Sequence, residues 1–118
     1  MDIEYLYQVS ISGEATIKDF EGCAKLLGVD VRDVFNQVSL LFAKRYAHGY
    51  ESYENSDDAM NLIWPLMLDY IVSHDEELVE PTYSIYCAFD EGEYIHKDGL
   101  DPVKAYTDPA IREILENA

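Results

Sequence analysis

The sequence predicts an all-α fold, an irregular bundle of five to six helices, and three observations predict it. Apolar residues recur at helical spacing from Thr16 to the C-terminus. Capping residues such as Thr16, Asp30 and Ser56 precede these stripes, and Gly28 and Gly49 follow two of them. Only one segment also alternates as a strand would, and a lone strand has nothing to pair with.

That segment comes first. Ile3, Tyr5, Tyr7, Val9 and Ile11 alternate, yet Ile3, Leu6, Tyr7 and Ile11 also form a helical stripe. A helix is favoured over residues 2–11, with a strand kept as the alternative. Thr16 then caps a helix through Phe20, Cys23, Ala24 and Leu27, with Asp19 at the capping-box position and Gly28 at its end. Asp30 caps a longer helix carrying Val31, Val34, Phe35, Val38, Leu41, Phe42 and Tyr46. Lys44 and Arg45 fall in its last turn, where cations complement the helix dipole, and Gly49 ends it.

Ser56 is read as the cap of the next helix, with Asp57 and Asp58 in its first turn and a core face from Ala59 to Ile71. Pro65 lies inside and is expected to kink or split it, since the ring removes a hydrogen bond and clashes with the preceding turn. Pro81 opens a further helix carrying Tyr83, Ile85, Tyr86, Cys87, Phe89 and Tyr94. Thr107 or Asp108, followed by Pro109, starts a last short helix through Ile111, Ile114 and Leu115.

The chain has 118 residues, 48% of them hydrophobic and 15 of them aromatic, which suits one globular domain spanning residues 1–118. Its two cysteines, Cys23 and Cys87, lie in apolar stripes and read as buried thiols. The first residues have neither a basic region nor a long apolar run, and no apolar stretch reaches the roughly 20 residues that span a bilayer. The expected location is the cytoplasm.

Charge is the most informative property. Net charge is −16, and it is unevenly placed. Residues 1–49 hold seven acids and five bases, and residues 96–118 hold five acids and three bases, a net −2 in each. Residues 50–95 hold twelve acids and no Lys or Arg. Such a chain repels nucleic acid and anionic lipid, so neither is an expected partner, and it favours a basic protein.

Motifs for chemistry are sparse. Ala24, Gly28 and Val34 have helix-turn-helix spacing, but the second helix would present Asp30, Val31, Arg32 and Asp33 to bases, which is poor DNA-reading material. Glu93 and His96 match one half of a di-iron Glu-x-x-His arrangement, and no second half exists. Asp57-Asp58 and Asp75-Glu76-Glu77 lack the calcium-loop pattern. His48, His74 and His96 fall near predicted helix ends. Almost any two of 24 acids could be paired, so an acid pair carries little weight. No catalytic residue, metal site or cofactor is expected.

The candidate site is instead an acidic and aromatic surface for a protein partner: Tyr50, Glu51, Tyr53, Glu54, Asp57, Asp58, Asp90, Glu91, Glu93 and Tyr94. Tyr supplies rigid contact area and a hydroxyl, and the acids steer a basic surface towards it. Reversing Glu51, Glu54, Asp57 or Asp58 is expected to weaken binding more than reversing Asp2 or Glu116.

With Tyr50-Glu51-Ser52-Tyr53-Glu54 and Phe89-Asp90-Glu91-Gly92-Glu93-Tyr94 in one base-free region, this small acidic helical chain resembles bacterial toxin-immunity proteins. The resemblance is one of size, charge and fold class, and no individual residue is carried over from it. It implies a cytoplasmic binding protein that blocks a basic toxin, often a nuclease. The alternative is a structural or homo-oligomeric helical protein, a homodimer in the simplest case. A small metal protein or enzyme stands behind both.

Overall fold

The structure, a computed structural model, describes residues 2–118. Six α-helices follow one another: α1 (Ile3–Ile11), α2 (Ile17–Leu27), α3 (Val31–Ala47), α4 (Tyr53–Ser73), α5 (Thr82–Asp90) and α6 (Asp108–Glu116). A 3-10 turn at Glu91–Glu93 extends α5, and a π-helical turn at Val103–Thr107 leads into α6. The described residues contain no strand, so the N-terminal segment is helical. Asp2 accounts for its start, because its carboxylate accepts the Tyr5 N–H at 2.9 Å.

The predicted stripes become one core. α3 is the central helix and presents Val34, Phe35, Val38, Phe42 and Ala43 to its neighbours, all fully buried. Phe20 of α2 stacks on Phe35 at 4.5 Å, and Tyr7 of α1 stacks on Phe42 at 4.2 Å. α4 supplies Met60, Ile63 and Met67, α5 supplies Ile85 and Phe89, and α6 supplies Ile111. Burying a side chain of this size stabilises by about 1.5–3 kcal/mol, so this set outweighs any surface term. The radius of gyration, 14.0 Å, is close to the roughly 13.5 Å of a packed chain of this length.

Several boundaries follow the expected signals. The Thr16 N–H donates to Asp19 at 2.9 Å, Asp30 accepts the Arg32 N–H at 2.9 Å, and Gly28 ends α2 in the left-handed conformation at φ 70°. Others correct them. α4 starts a turn before Ser56: Ser52 is its cap and accepts the Asn55 N–H at 3.0 Å, while Ser56 is buried in the first turns. Pro65 does not split α4, which continues to Ser73. Pro65 and Asn61, whose carbonyl loses its partner, are both exposed, so that carbonyl is not left in the core. Tyr94 lies beyond α5, which stops at Asp90.

Pro81, at the N-cap of α5, offers no side-chain acceptor; Glu80 before it accepts the Ser84 N–H at 2.9 Å, which leaves the Thr82 N–H without a local cap. Asn36, midway along α3, takes over. Its side-chain oxygen accepts the Thr82 N–H at 3.1 Å and the Thr82 hydroxyl at 2.7 Å.

Candidate functional site

Residues 50–58 turn from α3 into α4, and they divide between two surroundings. Tyr50 is 82% exposed and lies beside His48. Glu51 turns back to α1, where it accepts the Tyr7 hydroxyl, and it also accepts the Asn55 amide at 3.0 Å. Arg45 sits over the Tyr7 ring at 4.3 Å and makes a two-pronged pair with Glu4 at 2.5 and 2.9 Å. Glu51 therefore serves the α1–α3–α4 junction.

The rest of the first cluster meets the last one. Asp57, one turn past Tyr53 on α4, faces Asp90 and Glu93 from the end of α5 and the 3-10 turn. Tyr53 lies beneath them, half-buried, and donates its hydroxyl to the Phe89 carbonyl at 2.6 Å. Gly92 makes the approach possible. A Cβ there would lie 2.4 Å from the Thr107 hydroxyl and 2.8 Å from the Tyr53 hydroxyl. The Thr107 hydroxyl in turn donates to the Ala88 carbonyl at 2.7 Å, tying the π-helical turn to α5.

Asp57 corrects the expectation of a solvated first-turn acid. It is only 8% exposed, and its Oδ1 has no hydrogen-bond donor. Asn61 reaches Oδ2 at 3.5 Å and holds Glu93 more closely, at 2.9 Å. A buried carboxylate without a donor, beside other carboxylates, is costly. A proton on Asp57 removes the cost. Burial is the largest cause, followed by the hydrogen bond and charge of Glu93 and the charges of Asp58 and Asp90, and together they push Asp57 up to about 8. Asp90 is raised as well, by burial and then by Glu93 and Glu91. Burial and the same acids hold the Tyr53 and Tyr86 hydroxyls firmly protonated.

Glu91 and Tyr94 form the far edge. His96 is sandwiched between Tyr94 at 4.3 Å and Tyr106 at 3.9 Å, and its Nε2 contacts the Glu91 carbonyl at 2.8 Å. His96 is thus half-buried. Glu93 and His96 reach different partners, Asn61 and Glu91, so the Glu-x-x-His spacing does not form a pair. Among the described residues, no group of three or more His, Cys, Asp or Glu side chains converges as a metal would need. Tyr94 itself is 52% exposed.

An aromatic ledge runs along the acids, and sequence reasoning missed it. Trp64 of α4 stacks on Tyr86 of α5 at 4.9 Å and tilts against Tyr83 at 5.3 Å. All three are half-buried. The i, i+3 spacing of Tyr83 and Tyr86 was visible; that Trp64 lies against both was not.

Among the described residues, Arg45 pairs with Glu4, and Arg32 pairs with Asp30 and Glu76 at 3.2 Å. No Lys or Arg pairs with Glu54, Asp57, Asp58, Asp90 or Glu93. Arg32, the base at the start of the candidate DNA-reading helix, is committed to those acids. No described helix is long and apolar enough to cross a membrane.

No protein-family model matches this chain, and no significant match is found among curated proteins or solved structures.

Proposed function

We propose that this chain is an acidic protein-binding module that docks on a basic protein and neutralises it, a role of the toxin-immunity type. One observation carries the reading. Glu54, Asp58, Asp90 and Glu93 share a surface, none of them is paired with a Lys or Arg of this chain, and that surface adjoins the Trp64–Tyr86 ledge and the exposed Tyr94. Uncompensated acids of this kind speed encounter with a basic partner and orient it. Trp and Tyr then supply the contacts that concentrate binding energy. Lys and Arg of the partner, such as those lining a nuclease cleft, would meet the carboxylates and be masked by them.

The residue list sharpens accordingly. Glu54 and Asp58 are exposed, and neither makes a side-chain hydrogen bond or ion pair within the chain. Glu51 and Asp57 both make such bonds, and Asp2 caps α1, which makes it a poor control. The test is capture of partners from the native host by the full chain, with the eluted protein identified. A basic partner is expected, released as salt rises, because exposed charge pairs are screened over about 10 Å at 0.1 M. The double substitution Glu54→Lys, Asp58→Lys should weaken its retention strongly, and Glu116→Lys should not. Retention that ignores both salt and the double reversal would refute the reading. A toxin gene beside this one would support it.

A further inference from the structure

A second surface feature lies around the corner from the acids. α3, α5 and α6 leave a groove of about 800 Å³ between them. Leu40 comes from α3, Tyr83 and Cys87 from α5, and Ile114 from α6. Where α5 and α6 approach, the wall residues are Ala88 and Ala110, whose small side chains leave the depth open. Its rim carries Glu80, Glu91 and Glu113, and no Lys or Arg lines it.

We propose that this groove receives an amphipathic helical segment of the basic partner, apolar side chains inward and Lys or Arg against the rim. The proposal rests on the function proposed above, since it takes the partner to be a basic protein. Three properties select this occupant. The floor is apolar and open to water, so filling it releases apolar surface at about 25 cal/mol per Å². An acidic rim around an apolar floor is the complement of a helix with one apolar and one basic face. Tyr83 belongs both to the groove wall and to the aromatic ledge, so the groove continues the surface already argued to hold the partner.

Cys87 provides a native reporter. It lines the groove and is partly exposed, whereas Cys23 is 0% exposed. The probe is a synthetic Leu/Lys peptide of about five helical turns with Leu at helical spacing. A second peptide has the same composition with its Leu scattered, and a third carries Glu in place of Lys. Iodoacetamide labels the full chain with and without each peptide, and the rate at Cys87 is read by mass spectrometry.

The amphipathic Leu/Lys peptide should slow labelling about tenfold at saturation, and the other two should leave it within about twofold. Ala110→Trp, which fills the groove, should weaken the peptide about tenfold, and Glu113→Lys, at an exposed rim position, should weaken it severalfold. Equal protection by the scattered peptide would overturn the proposal, because charge alone would then explain it. Protection that grows with protein concentration in the absence of peptide would also overturn it, in favour of a second copy. If the peptide binds in a salt-sensitive way that Glu54→Lys, Asp58→Lys removes while Cys87 stays reactive, the groove fails and the acidic-surface reading stands. If no cationic peptide binds at low salt, both fail.

Discussion

Replacing Asp57 with Asn tests the buried carboxyl. Asn keeps the shape of a protonated Asp and can donate to Glu93, but it has no proton to lose. In the folded chain Asp57 keeps its proton up to about 8, against an ordinary value of 3.8. Because the folded value is the higher one, the native state binds the extra proton through this window. The stabilisation is complete below the unfolded value and is lost as pH rises through the folded one. At 1.36 kcal/mol per tenfold change in proton affinity, the full difference would be roughly 6 kcal/mol. Glu93 is exposed and can swing away once both groups are charged, and water then screens them, so about 2–3 kcal/mol should be observed. Urea unfolding followed by circular dichroism, at steps from about pH 4 to about pH 9, gives the difference in stability between Asp57→Asn and the native chain. That difference should move by about 2–3 kcal/mol in favour of the variant as pH rises. A difference that stays flat over the window would refute the proton held on Asp57.

Other outcomes follow from the same packing. Gly92→Ala should cost about 2–3 kcal/mol in thermal or urea unfolding, because its Cβ meets the Thr107 and Tyr53 hydroxyls and must push two tied elements apart. Phe42→Ala should cost about 3–5 kcal/mol in the same assays, since it leaves a void in α3 beneath Tyr7. Arg45→Met should return Glu4, held down to about 2 chiefly by its hydrogen bonds to Arg45, towards 4.5, as followed by carboxyl carbon resonances in an NMR titration. The stabilisation from that pair is present above 4.5 and is lost as pH falls through about 2; at this exposed position it should be worth about 1 kcal/mol and shrink in high salt.

Periodicity carried the fold because helical stripes and caps are local signals. Phe20, Phe35, Phe42 and Ile63 are apolar at the right spacing and are fully buried. The start of α4 was misread for a local reason too. Asp57 and Asp58 look like first-turn acids after Ser56, while Ser52, the residue that sets the boundary, offers the same capping chemistry one turn earlier. Pro65 looked like a break because propensity cannot see the packing that holds both halves of α4. The π-helical turn at Val103–Thr107 has no periodic signature. At the site, the sequence showed that residues 50–95 carry the charge but not how the acids divide. Glu51 belongs to Tyr7 and Asp57 to Glu93, and both assignments depend on helix packing between residues distant in the chain. Trp64 entered the site for the same reason.

The bond from Asn36 to Thr82 bears on the order in which this protein assembles. An isolated stretch as short as α5 is marginal in water, because forming the first turn costs more than its single hydrogen bond returns. The first donor of α5, the Thr82 N–H, is satisfied by a side chain of α3, so that donor is paired only when the two helices have docked. Opening at Thr82 should therefore accompany separation from α3 instead of fraying alone. In native-state hydrogen exchange, the amides early in α5 should share the opening free energy of the middle of α3, and Asn36→Ala should lower protection there before it affects α1 or α2.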